Sequence, residues 1–533
     1  MGRTIVRDLL AACLAAACAA AAGAQPFTTV ITHGFTTGAK GLWVQAMAEA
    51  ILARAGEGTV YRYEPGDGRW QLVASLNQPD DVVVLIFNWT DESDGPAVGP
   101  NWNYVQAAAD ALHASLRHPR YPGGSGPADL LTGRTIHLVG HSRGACVMSE
   151  TARRLALAGI PVDQVTTLDP HPVDGTLDWP VNFDWGDPTP QKWIGVTWAD
   201  NYWRADGGFL NASDFDGIPI DNVMNVELDE SALECDEDPG TVCLGQPDSV
   251  CGYDLSHLDV HLWYHGTIDT NPNPDDGEEC ISDLMRATWW VPDGFNEFAY
   301  WFSVLGGGSA DRAAQPAGVE PGAVPILYNG EFEDGTYAGW LHHGGDGLGV
   351  VVSDGGGHVL RLTTDAVLLN VDFTHNRFWL PAGACAVVFD YRVDLSSLAD
   401  DELRVRMRDA DGSIDEQVGT IAFNAAGDWA PDHVVPLPAG LPRQRAYLLT
   451  FELAAGAALG ASVSIDNVRV STEPGDCGCP WDLDLDGAVG VTDFLQLLAA
   501  WGPNPGHPAD FDGDGSVGVT DFLALLANWG ACP

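Results

Sequence analysis

Residues 136–146 read IHLVGHSRGAC, an apolar run that breaks into Gly140-His141-Ser142-Arg143-Gly144. A serine between two glycines at the end of a buried strand has two readings. One is a tight turn and nothing more. The other is a turn sharp enough to hold the Ser142 hydroxyl up as a nucleophile, the small glycines tolerating the strained backbone. The stretch that follows, ACVMSETARRLALAG, has helical spacing. Strand, turn and helix in that order are what a nucleophile elbow requires, and the helix start brings its dipole and N–H groups to the serine.

A serine hydroxyl needs a base, and a tetrahedral intermediate needs oxyanion donors. ITHGFT, residues 31–36, ends an earlier apolar run with His33-Gly34-Phe35. The order strand, His-Gly, helix lets the Phe35 N–H face Ser142, with the Arg143 N–H as its partner. A plain strand-end turn is the competing reading.

Working outward, residues 25 to about 304 alternate β-type and helical runs. TTVITHGF (28–35), VVVLIFNW (82–89), TIHLVGH (135–141), QVTTLDP (164–170) and WIGVTWAD (193–200) are near-continuous apolar strands. GLWVQAMAEAILARAG and NYVQAAADALHASLR lie between them with helical spacing. Such a pattern predicts a mostly parallel sheet with helices on both faces.

The chain has 533 residues, 25 Lys+Arg against 74 Asp+Glu, and a formal charge of −49. That balance argues against nucleic acid or an anionic membrane as partner. Arg3 and Arg7 precede an apolar stretch, Leu9 to Ala22, and Ala22-Gly23-Ala24 is an A-x-A cleavage site before Gln25. Residues 1–24 are read as a signal peptide of bacterial type, and the mature protein as secreted, with no transmembrane segment. Of eleven cysteines, Cys13 and Cys18 leave with the signal. Cys235, Cys243, Cys251 and Cys280 cluster as expected for disulfides, and Cys146 is the candidate free thiol.

VITHGFT, GHSRGA and TTLDPHP, in this order, resemble the α/β-hydrolase fold, most closely its secreted lipase and esterase branch. The resemblance covers residues 28 to about 270 and implies hydrolysis of carboxylic esters through a Ser-His-Asp triad and an acyl-enzyme. It makes Asp169 the triad acid, since pancreatic-type lipases carry theirs in a similar LDP. Asp200, in WADNYWR, occupies the place most α/β-hydrolases use and is the alternative. For the base, SHLDVHLWYHGTID offers His257, His261 and His265. Their spacing of four puts them on one helix face, but no H-E-x-x-H glutamate accompanies them, so a metal role is not favoured. The segment resembles the loop-to-helix region of bacterial lipases, where the first histidine is catalytic. His257 is therefore the expected base and His261 the alternative. No cofactor is expected for catalysis. Residues 201–256 are read as a disulfide-stapled cap or a passive insertion.

GGGSADRAAQPAGVEPGAVP (306–325) reads as a linker, placed at 305–325. Residues 326–472 then alternate as short strands, a β-sandwich. Its edges, LYNGEFEDGTYAGW and SVSIDNVRVS, resemble carbohydrate-binding-module-like jelly rolls, which makes polysaccharide a possible ligand. Residues 473–480 form a second linker. In 481–533, DLDLDGAVGVTDFLQLLAAWG recurs 28 residues on as DFDGDGSVGVTDFLALLANWG. Asp482, Asp484, Asp486 and Asp493 occupy positions 1, 3, 5 and 12 of one loop; Asp510, Asp512, Asp514 and Asp521 occupy those of the other. Hard carboxylate oxygens at this spacing suit Ca²⁺. The pair of half EF-hands resembles a type I dockerin, a small all-α calcium-binding module, which implies a cohesin-bearing partner met by Val491-Thr492 and Val519-Thr520. Cys479 and Cys532 flank the module as a possible clamp.

The sequence therefore predicts a multidomain chain: α/β-hydrolase at 25–304, β-sandwich, and dockerin. Its expected function is a secreted serine esterase or lipase anchored to a partner through calcium. A polysaccharide-associated acyl esterase and a non-catalytic binding protein on a hydrolase scaffold are the rival readings.

Overall fold

A computed structural model describes residues 26–531 apart from 36–41, 78–80, 94–103, 176–183, 205–215, 229–254, 272–273, 275–280, 282–285, 287–297, 344–348, 366, 398–399, 439, 458–459, 474–475, 477–478, 480, 485, 487, 505–506 and 512–514. Residues 1–24, read as a signal peptide, the Cys235, Cys243, Cys251 and Cys280 cluster, most of 201–256, and Asp512, Asp514 and Cys532 fall outside the described residues.

The first unit is built on an eight-stranded sheet. Its strands are β1 (Phe27–Thr32), β2 (Gly58–Glu64), β3 (Arg69–Leu76), β4 (Val82–Phe87), β5 (Thr135–His141), β6 (Val162–Leu168), β7 (Val196–Trp203) and β8 (Met224–Glu227). Their order is β3-β2-β4-β1-β5-β6-β7-β8, parallel except for the β2–β3 hairpin. Alternation along each strand sends side chains to two cores. Val30, Val83, Leu85 and Leu138 join one, with helices α2 (Tyr104–Arg117) and α3 (Arg143–Leu157). Ile31, Val84, Ile86 and Val139 join the other, with α1 (Leu42–Ala55) and α4 (Leu255–Ile268). The helices thus cover both faces of a mixed, mostly parallel sheet. The hairpin β2–β3 and the edge strand β8 were not anticipated, because their polar residues interrupt the apolar runs that betray the central strands.

Chain direction then fixes where a site can lie. β1 feeds α1 on one face, while its neighbour β5 feeds α3 on the other. Adjacent strands whose connections leave toward opposite faces open a crevice at their carboxyl ends. His33-Gly34 ends β1 and His141-Ser142 ends β5, both at that crevice.

Ten strands, β9–β18 between Trp340 and Ser471, form two five-stranded antiparallel sheets. They pack face to face over Phe373, Phe378, Phe389, Tyr447 and Phe451, a β-sandwich where one was expected. The sandwich is fastened to the first unit. Arg377, fully buried, donates to the Gly68 carbonyl at 2.8 Å and the His118 carbonyl at 2.7 Å. Arg120 bonds Asp409 at 2.6 Å, and Arg445 shares that carboxylate. The segment read as a linker also lies on the first unit: the Ile194 N–H donates to the Val319 carbonyl, the Val319 N–H donates to the Lys192 carbonyl, and Gln315 exchanges two hydrogen bonds with Ala199.

Burial alone would raise the Asp409 carboxyl, but hydrogen bonds from Arg120 and Arg445 outweigh it and hold the group at about 2, below its ordinary 3.8. A depressed carboxyl adds stability above its unfolded value, and that stability is lost as pH falls through the folded value. The melting temperature of the full chain should therefore exceed that of Asp409→Asn at neutral pH. The gap should close between about pH 4 and about pH 2. A gap constant over this range would mean that the ion pair does not hold the two units together.

The C-terminal repeat forms two helices, α5 (Val491–Ala499) and α6 (Val519–Ala527), which bury Leu497 and Leu525 and set Phe494 and Phe522 at 5.4 Å. Cys146 is a free thiol, buried, its ionisation pushed well up by desolvation. Cys385 and Cys479 each take part in a disulfide. Among the described residues, no helix is long and apolar enough to cross a membrane.

Candidate active site

Ser142 sits between β5 and α3 at φ 56° and ψ −131°, a conformation L-residues rarely adopt. Such strain costs on the order of 1–3 kcal/mol and persists only where the surroundings enforce it. They do so by close packing. A Cβ on Gly140 would lie 2.3 Å from the Gly144 carbonyl oxygen, and one on Gly144 would lie 2.5 Å from the His33 oxygen. On the β1 side, a Cβ on Gly34 would meet the Ser142 hydroxyl oxygen at 2.8 Å. Backbone 34 therefore passes directly against the serine side chain. No side chain larger than hydrogen fits at the crossing.

Asp169 follows β6, and the Ser142 N–H donates to Leu168 O at 2.9 Å, so the two turns are adjacent. From α4, the His257 ring reaches this place: its Nδ1 donates to Asp169 Oδ2 at 2.7 Å. A carboxylate only accepts, so Nδ1 carries the proton, and in the neutral ring Nε2 presents a lone pair. The other Asp169 oxygen accepts the Arg204 N–H at 2.9 Å, and the Arg204 guanidinium lies 3.3 Å from Oδ2. His141, next to the serine, donates through Nε2 to the His257 carbonyl at 2.9 Å, fixing the start of α4. Burial pushes the His141 ring well down, which keeps it neutral in that role.

The alternative residues are placed elsewhere. Asp200 accepts from Thr166 at 2.6 Å, Tyr202 at 3.0 Å and Gln164 at 3.1 Å. Burial lifts its carboxyl to about 6. His261 stacks on Trp43 at 4.3 Å and meets His141 edge-on at 4.9 Å. Among the described residues, no backbone carbonyl takes the N–H of Phe35 or of Arg143. Sequence reasoning missed Arg204, which directly follows β7 and is placed by its neighbour strand rather than by any motif. It also missed Trp89, Trp185 and Asp187, which surround the Arg143 side chain.

In the C-terminal repeat, carboxyl oxygens of Asp482, Asp484 and Asp486 lie within 4.8 Å of one another. Asp510 Oδ1 is buried with no hydrogen-bond partner among the described residues. Clustered hard oxygens and an orphaned buried carboxyl oxygen fit a Ca²⁺ site. Asp493 and Asp521, at the twelfth position of each loop, also accept backbone N–H groups. Asp493 accepts the N–H groups of Leu483, Asp484 and Gly490, and Asp521 those of Phe511 and Gly518, so both close the loop onto the helix start.

No family model matches the chain, and no curated protein matches it. Among solved structures, it is similar to a carbohydrate-binding module specific for non-crystalline cellulose, CBM28, at 14% identity and TM-score 0.23, covering 28% of this chain and 95% of that one. It is similar to the K3 cleaved adhesin domain of Lys-gingipain from Porphyromonas gingivalis W83 at 16% identity and TM-score 0.21, covering 26% and 95%. A structure of carbohydrate-binding modules from the β-sandwich superfamily matches at 16% identity and TM-score 0.21, covering 30% and 68%.

Proposed function

We propose that this protein is a serine hydrolase of the α/β-hydrolase class, acting on carboxylic esters as an esterase or lipase. The observation that carries the reading is Ser142, held at φ 56° on a strand–helix turn beside an Asp169–His257 pair bonded at 2.7 Å. In this reading His257 Nε2 takes the proton of the Ser142 hydroxyl as it attacks the ester carbonyl. Asp169, neutralised by Arg204, stabilises the imidazolium that forms. The oxyanion is met by the N–H groups of Phe35 and Arg143. His257 then returns the proton to the leaving alcohol, and water releases the acid by the same steps reversed. The test is a hydrolysis screen over p-nitrophenyl esters of increasing chain length and over acylated polysaccharide. Activity on one of these classes, lost in Ser142→Ala, supports the reading; a wild type inert toward all of them contradicts it. The fastening of the sandwich to the catalytic unit through Arg377 and Asp409 favours esters borne on a polymer that both units meet at once.

The C-terminal repeat is proposed to bind Ca²⁺ as a dockerin, through Asp482, Asp484 and Asp486 in one loop and Asp510, Asp512 and Asp514 in the other. It would anchor a secreted enzyme to a cohesin-bearing protein. Without the ion, clustered carboxylates repel, so binding free energy becomes folding free energy. Residues 481–533 should gain helical circular dichroism on adding Ca²⁺, and Asp486→Ala with Asp514→Ala should abolish the gain. A segment equally helical in chelator and in calcium would overturn this role.

A further inference from the structure

The two proposed oxyanion donors, the N–H groups of residues 35 and 143, belong to separate segments, one after β1 and one at the start of α3. Backbone connectivity does not fix their relative position. Their side chains converge on a single indole. The Phe35 ring lies 5.9 Å from the Trp185 ring, and the Arg143 guanidinium carbon lies 4.7 Å from the centroid of that same ring. Arg143 also sits 5.4 Å from the Trp89 ring, whose Nε1 donates to the His33 carbonyl at 2.8 Å. The cage around Arg143 is thus anchored to the same turn that carries Phe35.

Within the cage, the guanidinium has one fixed orientation. Nε and Nη2 donate to the two Asp187 oxygens at 2.6 and 2.7 Å, and both side chains are almost wholly buried. Asp187 is held in turn by the Val173 N–H at 3.1 Å, and Trp185 N–H bonds the Val173 carbonyl at 2.8 Å. A buried ion pair is weak as a stabilising device, because desolvation cancels much of its attraction. A planar bidentate pair is a strong orienting device. Oxyanion donors act only when aimed at the transition-state oxygen, and a displacement near 1 Å can cost on the order of 10²-fold.

On the hydrolase reading, we propose that Trp185 and the Arg143–Asp187 pair are positioning residues that hold the two oxyanion donors in register. On this reading their side chains aim the donors and move no proton, so their loss should appear as weakened transition-state binding with the base intact. The test uses the full chain, p-nitrophenyl butyrate and a trifluoromethyl ketone whose hemiketal mimics the oxyanion. Trp185→Ala, Asp187→Asn and Arg143→Lys should lower kcat roughly 10–100-fold. KM should stay within about threefold, and the ketone should bind weaker by the factor lost in kcat. The pH midpoint of kcat/KM should not move, and Trp185→Phe should recover most of the rate. If Trp185→Ala does not fold, Asp187→Asn and Arg143→Lys carry the same prediction. Variants within twofold of wild type in kcat, or a loss confined to KM with ketone affinity unchanged, would overturn the proposal. An active wild type and inactive Ser142→Ala alongside such variants would leave the hydrolase reading standing. Undiminished activity in Ser142→Ala would remove both.

Discussion

Ser142→Ala is expected to abolish ester hydrolysis, lowering kcat by ~10⁴ or more while leaving the melting temperature unchanged or raised. The rate loss follows from removing the attacking oxygen. The stability expectation follows from the backbone: φ 56° and ψ −131° are set by the Gly140 and Gly144 crossings, not by the hydroxyl. Alanine keeps the Cβ that already packs against Gly34 and gives up only an oxygen. Steady-state kinetics on purified protein, with circular dichroism melts beside them, read both quantities. A mutant that hydrolyses esters at near wild-type rate would remove the nucleophile from the account.

Asp169→Asn is the second large effect. Asp169 accepts the His257 Nδ1–H and the Arg204 backbone N–H, and it pairs with the Arg204 guanidinium 3.3 Å away. An asparagine keeps the shape but offers an NH₂ to one of them, and it removes the negative charge from beside the buried Arg204 guanidinium. If the amide nitrogen faces His257, the ring must turn its tautomer over, and Nε2 is no longer a base. A fall of roughly 10⁴ in kcat is expected. Asp200→Asn should behave oppositely. Its carboxyl serves Thr166, Gln164 and Tyr202, so activity should persist while stability drops. A crippled Asp200→Asn beside a mild Asp169→Asn would reverse the assignment of the acid.

The central strands were legible because β1, β4 and β5 are buried on both faces and read as unbroken apolar runs. The sandwich was legible from alternation alone. What escaped was set by tertiary contact. Strand β2, GTVYRYE, pairs in parallel with β4 and antiparallel with β3, and its polar residues conceal that placement. Arg377 reads as one more surface cation until its guanidinium is found bonding two carbonyls of the other unit. The elbow could be read because a strained serine needs glycines at fixed offsets. Arg204 and Trp185 could not, since a residue that supports another across the fold leaves no local pattern. Asp493 and Asp521 fit the metal spacing, yet the same spacing also serves a helix cap, and sequence does not separate the two uses.

The most direct measurement of the central claim is covalent labelling with a fluorophosphonate, followed by peptide mass spectrometry. The reagent phosphonylates a serine only where a base activates it and donors receive the oxyanion. One adduct per chain, on Ser142, is predicted, and His257→Ala and Asp169→Asn should label far more slowly under the same conditions. An adduct on another residue, or a Ser142 that stays unlabelled in the folded wild-type protein, would contradict the account.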